Sequence, residues 1–579
     1  MKNIKKFHND TETSLRLKGY IRDLREKKLF FLEHSRQATY ADTEYLNVFL
    51  EELLDYSNSW TRLGQKNMQP EKNPASEGHA NARIYHSIDV SENGRNASIE
   101  LLLNELLSRA GGLAHDLTHT AFAHEGELII SRYLSEQGIC KIYHGALVPI
   151  AFTLENTHEN VLKRLEQKHG KPLTEKQKKN YYSTFLNICD IAVCHNGEST
   201  KDKINVNRNK TDSDIENEWI NILTFNTTNK EVVNRTKEGA IIAFCDPISY
   251  VGKDFKDGVI KHLVDVNDPE YEALFIRMGL SKQQLDEWAL GKYDKKTEIV
   301  RWITRRLRDD LISHSKLVDG AQMSKELLEC MYDLRSLNYH KVIIPGQRQI
   351  NPILRNNVGP LIDLHAKYLI ENTNMEGVDF STPSGQYLSH IITNVRSQSQ
   401  NITNKYEQIV SKGIKSTINS DINLFLGITG EDGKLPAPTK RYKRIAEDLT
   451  ELQKVYPITP AVKETYIKNL LKEINLSPQE SQKLFEKKIK TRFPNATSEE
   501  LTSLMEKHSY QRIETFTECM AKLRLAIYLG ESTNDFLLDV MESHGLLSPE
   551  ERKLRYLSGG SIEGSSIEAT INSQRDHLI

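Results

Sequence analysis

Residues 110–127 read AGGLAHDLTHTAFAHEGE. An apolar, small-residue lead runs straight into His115 and Asp116. His119 follows one helical turn on, then His124, then Glu127 three residues later. Such a density of imidazoles and carboxylates is costly in a folded interior unless the groups meet a metal or a charged substrate, because buried polar groups must be paired. Imidazole with carboxylate suits Mn, Fe, Co, Ni or Zn, and a carboxylate-bridged site also takes Mg. On a helix, neighbouring residues point about 100° apart. His115 and Asp116 can therefore serve one ion only where another element crosses them, and the remaining ligands must come from far away in sequence. Two segments offer them: His86 in RIYHSIDV (83–90) and Asp246 in FCDPISYVGKD (244–254).

The order His, His-Asp, Asp resembles the metal signature of the HD-domain phosphohydrolases. Within that superfamily the chain is similar to deoxynucleoside triphosphate triphosphohydrolases of the bacterial dGTPase type. Five segments carry the likeness. WTRLGQK (60–66) resembles F-R-R-L-x-x-K. Residues 83–90 resemble R-L-x-H-S-L-x-V, and residues 115–127 resemble H-D-x-G-H-x-P-F-x-H-x-G-E. DPISYVGKDFKDG (246–258) resembles D-D-I-A-Y-x-x-x-D-x-x-D-G. YLGESTNDFL (528–537) echoes Y-I-A-G-M-T-D-x-F-A. The chain departs from the pattern at Thr118 and Ala121, neither of which removes a ligand. It also carries Met68, with Gln69 beside it, where the family places a Gln that contacts the sugar.

The resemblance implies an all-α fold, mainly helical with a few short strands. It implies a divalent ion (Mn, Mg or Fe) held by His86, His115, Asp116 and Asp246. Hydrolysis would release a deoxynucleoside and tripolyphosphate from dGTP or another dNTP. His124 matches the family's catalytic histidine, placed to handle a proton at the α-phosphate. Glu127, one turn on along the same face, would hold the tautomer of His124. Otherwise it is a surface carboxylate. His144, twenty residues past His124, matches a further active-site histidine. Arg83 and Arg62 offer planar forks to phosphate oxygens, and Arg62 reads equally as a structural ion pair. His119 is expected to face the substrate. Asp246, Tyr250 and Asp254, four residues apart, share one helical stripe. By resemblance, Tyr250 packs against the sugar and Asp254 accepts from its 3′-hydroxyl. Relatives are usually oligomers, and a nucleotide or single-stranded DNA effector remains open.

A rival reading is an HD phosphodiesterase or nuclease acting on cyclic nucleotides or nucleic-acid ends. It would use the same metal ligands but has no need of His124, Glu127 and the Asp246–Tyr250–Asp254 stripe in this arrangement. A silent nucleotide-binding regulator is a third, and the intact ligand set argues against it.

Composition fits a cytoplasmic enzyme. The 579 residues carry a formal net charge of −2, so no generally basic, nucleic-acid-coating surface is implied. The six cysteines lack metal-type spacing, and no disulfide framework is expected. No apolar run reaches the length of a membrane span, and the first residues show no apolar signal core.

Apolar periodicity predicts helices over 99–114, 125–137, 145–165, 183–195, 232–252, 270–290, 297–313, 360–372, 386–412, 440–454, 460–474 and 508–545. Lys341–Pro345 is the best strand signal. Residues 166–180 and 197–216 read as polar insertions. The expected organisation is a phosphohydrolase core over 1–340, a helical region over 341–557 that completes the site or subunit contacts, and a flexible Gly/Ser-rich tail over 558–579. His195 ends an apolar helix and is given no catalytic role, and His158 and His169 are expected to be exposed.

Overall fold

Leu107, Ala110, Leu113 and Ala114 fall on one buried face of a ten-residue helix that delivers the His-Asp pair. Asn104 starts this helix: its side chain accepts from the backbone N–H groups of Leu106 and Leu107. In the computed structural model, described for residues 41–63, 83–195, 202–225, 232–290, 294–347, 350–371, 378–399, 402–426, 471–508 and 514–549 except Thr533, with isolated positions elsewhere after 437, the chain is all-α. Among these residues the one sheet pairs two three-residue strands, Lys203–Asn205 and Gly320–Gln322, antiparallel with Ile204 opposite Ala321. No described helix is long and apolar enough to cross a membrane.

Eight helices build the site and are labelled here: α1 (Arg83–Glu100), α2 (Glu105–Ala114), α3 (Ala123–Glu136), α4 (His144–Leu154), α5 (Glu175–Cys194), α6 (Lys237–Ile260), α7 (Phe516–Glu531) and α8 (Asn534–Ser543). α2 packs on α1 and α5, and α6 crosses α1. The approach of α2 is closest at Gly112, where an added Cβ would lie 2.6 Å from Ser91 Cα. Only glycine allows that approach, and it brings the C-terminal end of α2 against α1 five residues after His86.

Two apolar clusters share the chain. One gathers helices between Tyr45 and Val342 around Phe49, Phe244 and Phe255. The other joins α3, α4 and the helix Asp212–Leu223 to helices after residue 350, including α7 and α8. The C-terminal region thus packs directly on the elements that carry His124 and His144.

Several sequence expectations are corrected. The single helix over 99–114 is broken at Leu101–Asn104, where Leu102 has φ 57°. The strand expected at Lys341–Pro345 is instead a π-turn, Tyr339–Ile343, leading into the short helix Ile344–Gln347. Its β-branched residues finish a helix whose buried Val342 packs into the core. Where described, at 166–180 and 202–216, the expected polar insertions carry secondary structure. The helix Thr157–His169 and a Thr174 capping box at the start of α5 occupy the first. The strand Lys203–Asn205 and the capped start of Asp212–Leu223 occupy the second. The long helices expected over 145–165 and 270–290 each split, at Asn156 (φ 52°) and Gly279 (φ 101°). His158 is buried against the Tyr45 hydroxyl at 2.8 Å rather than exposed. Met68, Gln69, residues 558–579 and most of 440–470 lie outside the described residues.

Candidate active site and metal centre

α2 ends at Ala114, so His115 and Asp116 sit in the turn that follows rather than within a helix. Freed from helical periodicity, both side chains reach one place. His86 comes from the first turn of α1 and Asp246 from the middle of α6, where Pro247 removes the next N–H from the helical ladder.

His86 Nε2 lies 3.0 Å from Asp246 Oδ1 and 3.7 Å from Asp116 Oδ2. His115 Nε2 lies 3.7 Å from Asp116 Oδ1 and 3.8 Å from Asp246 Oδ1. The donor atoms of His86, His115 and Asp246 all fall within 4.8 Å of one another. His115 supplies a direct test of fit to a metal. Its Nδ1 donates to the Gly112 carbonyl at 2.7 Å, which fixes the tautomer and leaves a lone pair on Nε2. That Nε2 is fully buried and makes no hydrogen bond. A buried bare nitrogen facing two carboxylates is the environment a divalent cation requires.

Charge is balanced locally by Arg83. Its guanidinium donates to Asp116 Oδ2 at 2.6 Å in a buried ion pair. Burial alone would raise the Asp116 pKa, but His115, Arg83, His119 and His86 outweigh it and hold the carboxyl well below its usual range. Burial likewise opposes protonation of His115, yet Asp116 and Asp246 lift its pKa above the ordinary value.

Beside this set lies a second group of rings. His119 stacks on His144 with centroids 4.5 Å apart, and His124 meets His119 edge-on at 4.7 Å. His124 is the exposed member, at the start of α3. Glu127 does not pair with His124. Its Oε2 accepts from His144 Nδ1 at 2.6 Å and from the His144 backbone N–H at 3.0 Å. The geometry therefore assigns the carboxylate to His144.

Phe122 and Ala123, just before His124, both have φ near 60°. This left-handed backbone is braced by the C-terminal region. The Phe122 N–H donates to Asn534 Oδ1 at 2.8 Å, and the Ala121 N–H to the Gly530 carbonyl at 2.7 Å. The echo at 528–537 thus touches the His-rich turn.

Tyr250 is half-buried on α6, its ring 6.1 Å from that of His86. Asp254 is buried one further turn along. Arg62 is held by Ser59 at 2.7 Å and by Glu531 at 3.1 Å, the structural ion pair that sequence left open. It lines a polar cleft with Tyr56, Arg164 and Asn394.

Sequence reasoning passed over His195. Its Nε2 lies 3.1 Å from His144 Nε2 and its ring 5.0 Å from that of His115. The available signal was a histidine closing an apolar helix, which reads as well as a simple helix terminus.

A buried His–Asp centre flanked by further histidines on an all-α frame forms a metal-capable site. The chain is similar to curated proteins named deoxyguanosinetriphosphate triphosphohydrolase-like protein. The one from Rickettsia felis is 26% identical over 266 residues, 46% of this chain and 59% of that protein. The one from Rickettsia typhi is 24% identical over 294 residues, 50% of this chain and 65% of the relative. The one from Clostridium perfringens is 26% identical over 209 residues, 36% of this chain and 45% of the relative. The chain thus spans roughly half to two thirds of the length of these relatives. No family model matches the chain. The dGTPase-like resemblance read from the motifs is borne out by these relatives.

Proposed function

We propose that this protein is a metal-dependent deoxynucleoside triphosphate triphosphohydrolase. Water adds at the α-phosphorus, the bond to the 5′-oxygen breaks, and a deoxynucleoside and tripolyphosphate leave. The observation that carries this reading is His115 Nε2: buried, bare and tautomerically fixed between two carboxylates. His86, His115, Asp116 and Asp246 would hold the ion. When bound, it supplies Lewis acidity and neutralises phosphate charge.

The chain's own residues do the rest. Arg83 adds fixed positive charge beside the ion site. His124, exposed at the start of α3, is the proton-handling group nearest to bulk solvent. His119 and His144 form the wall beside it, with His144 aligned by Glu127. Tyr250 is assigned to the sugar and Asp254 to its 3′-hydroxyl. Arg62, which the resemblance assigns to the substrate, is engaged by Glu531 and lines a neighbouring polar cleft. In this reading residues 1–340 carry the chemistry, residues 341–557 brace it through contacts such as Asn534 to Phe122, and the enzyme works as a cytoplasmic oligomer.

The test is to incubate the pure protein with each dNTP and with Mn or Mg, and to identify the products. Release of intact tripolyphosphate with a deoxynucleoside supports the proposal. Release of pyrophosphate or orthophosphate instead, or cleavage of cyclic nucleotides or nucleic-acid ends alone, sinks it.

A further inference from the structure

Away from the buried His–Asp centre, another pair of histidines meets inside the C-terminal region. His365 lies on the helix Ile350–Glu371 and is fully buried, and His544 follows the last turn of α8 and is half-buried. Their rings stand 5.0 Å apart, centre to centre, and nearly perpendicular at 88°. His365 Nδ1 lies 2.8 Å from the carbonyl of Leu361, an oxygen that can only accept, so this nitrogen carries the hydrogen and Nε2 carries the lone pair. His365 Nε2 and His544 Nε2 are both shielded from solvent, and neither makes a hydrogen bond. Leu361, Ile362 and Ala366 on one helix and Val540 and Met541 on the other belong to one apolar cluster. Two bare ring nitrogens in such a setting are costly unless something engages them. Burial pushes the His365 pKa down to about 4 and lowers that of His544, so both rings are neutral near pH 7.

Neutral imidazole is the form that binds a metal. Two imidazoles on one tetrahedral ion, with bonds of about 2.0–2.1 Å, place their ring centres about 5 Å apart. His86 and His115, assigned above to one ion, stand at 5.4 Å and 66°. Among the described residues no third His, Cys, Asp or Glu donor joins His365 and His544, so solvent would fill the other positions from the half-buried His544 side. Imidazole without carboxylate suits Zn, Cu or Ni over Mn, Mg or Ca.

We propose that His365 and His544 bind one Zn(II) ion, which pins the end of α8 to the helix Ile350–Glu371. The position matters because α8 begins at Asn534, whose side chain holds the Phe122 N–H of the His-rich turn. The ten residues of α8, a rod of about 15 Å, join the two ends. The ion therefore stiffens the brace on the His-rich turn from its far end. This site is separate from the one assigned to His86, His115, Asp116 and Asp246, and it does not depend on the substrate proposed there.

The test counts zinc. Metal-free full-length protein is titrated with Zn(II) by calorimetry, and bound zinc is counted by mass spectrometry of the intact protein. Wild type should take one more ion per chain than either His544→Gln or His365→Gln. A ligand that binds only the folded chain raises its melting temperature. Zn(II) should therefore raise the Tm of Asp246→Asn, in which the other centre is altered, by more than that of the double variant Asp246→Asn with His544→Gln. Should the variants fail to fold, zinc-edge anomalous scattering from wild-type crystals decides, with a peak expected between the two rings. Equal zinc counts in wild type and His544→Gln, or no peak between the rings, overturns the proposal and leaves a water to bridge the two nitrogens.

Discussion

Glu127 accepts two hydrogen bonds from one residue, His144: one from ring Nδ1 at 2.6 Å and one from the backbone N–H at 3.0 Å. The second bond lies at the N-terminus of α4, where backbone N–H groups have no helical partner and a carboxylate is favoured by the dipole. The pair therefore ties α3 to α4 while fixing which His144 nitrogen faces the metal-capable centre. Burial would raise the Glu127 pKa, but His144 and His124 overcome it and hold it below the ordinary value of 4.5. Burial would lower the His144 pKa, but Glu127 and Asp116 overcome it and hold it above 6.5.

From these directions follows the first prediction. His144, raised on folding, contributes stability that is full below pH 6.5 and fades as pH rises through its folded value. Glu127, depressed on folding, contributes stability that is full above pH 4.5 and fades as pH falls through its folded value. In metal-free protein, the gap in stability between wild type and Glu127→Gln should therefore be widest between about pH 4.5 and 6.5 and should shrink on both sides. Denaturant melts across that range read it directly, and a gap independent of pH contradicts the pairing. Turnover of the metal-loaded variant should fall about 10- to 100-fold, the usual cost of losing the partner that orients a working imidazole.

The second prediction concerns the metal. Asp246→Ala removes the carboxylate nearest His86 Nε2 and should abolish both bound metal at that position and hydrolysis. Elemental analysis of the purified variant is the check, and full occupancy with turnover would falsify the assignment.

The His-rich turn was legible in sequence, and its geometry was only partly so. The four ligand candidates that the resemblance implied lie close together, but His115 and Asp116 do so because α2 stops at Ala114. Helical periodicity could not show that stop, since no proline or cap residue marks it. The break at Leu101–Asn104 was hidden for a related reason: Leu101 is buried and Leu102 exposed, both apolar, so the hydrophobic stripe ran across a non-helical turn. The partner of Glu127 was misassigned because sequence proximity favoured His124, whereas the chain folds α4 back across α3. His195 was given no catalytic role, and its place beside His115 and His144 was not legible because they lie fifty or more residues away in sequence. The brace from Asn534 to Phe122 spans 412 residues, so the two motifs that hold its ends give no sign that they touch.

The third prediction separates chemistry from binding. His124 is exposed, and among the described residues its donor atoms group with His119 and His144 rather than with His86, His115 and Asp246. His124→Ala should keep metal and nucleotide affinity and lose turnover by about 10²-fold or more, the usual scale for a general acid–base group. Single-turnover assays alongside nucleotide binding decide it. A drop of less than tenfold moves the proton-handling role to His119 or His144.

The last prediction addresses the sugar. Tyr250 is half-buried on the stripe that begins at Asp246, with its ring 6.1 Å from His86, so it borders the metal-capable centre rather than lying in it. Asp254 is buried one turn further on the same face. A ring at that border can exclude a 2′-hydroxyl by contact, while a carboxylate beyond it recognises the 3′-hydroxyl through a charge-assisted hydrogen bond. The two effects separate by substrate. Tyr250→Ala should narrow the dNTP-to-NTP ratio of kcat/KM by raising activity on ribonucleotides more than it lowers activity on deoxynucleotides. Asp254→Ala should weaken hydrolysis of dNTPs by about 10-fold or more, on the scale of a lost hydrogen bond to a charged group. It should leave 2′,3′-dideoxynucleotides, which have no hydroxyl to lose, at their wild-type rate. If wild type cleaves GTP and dGTP equally, and Tyr250→Ala changes neither, sugar selection does not reside on this helix, and the stripe is packing alone.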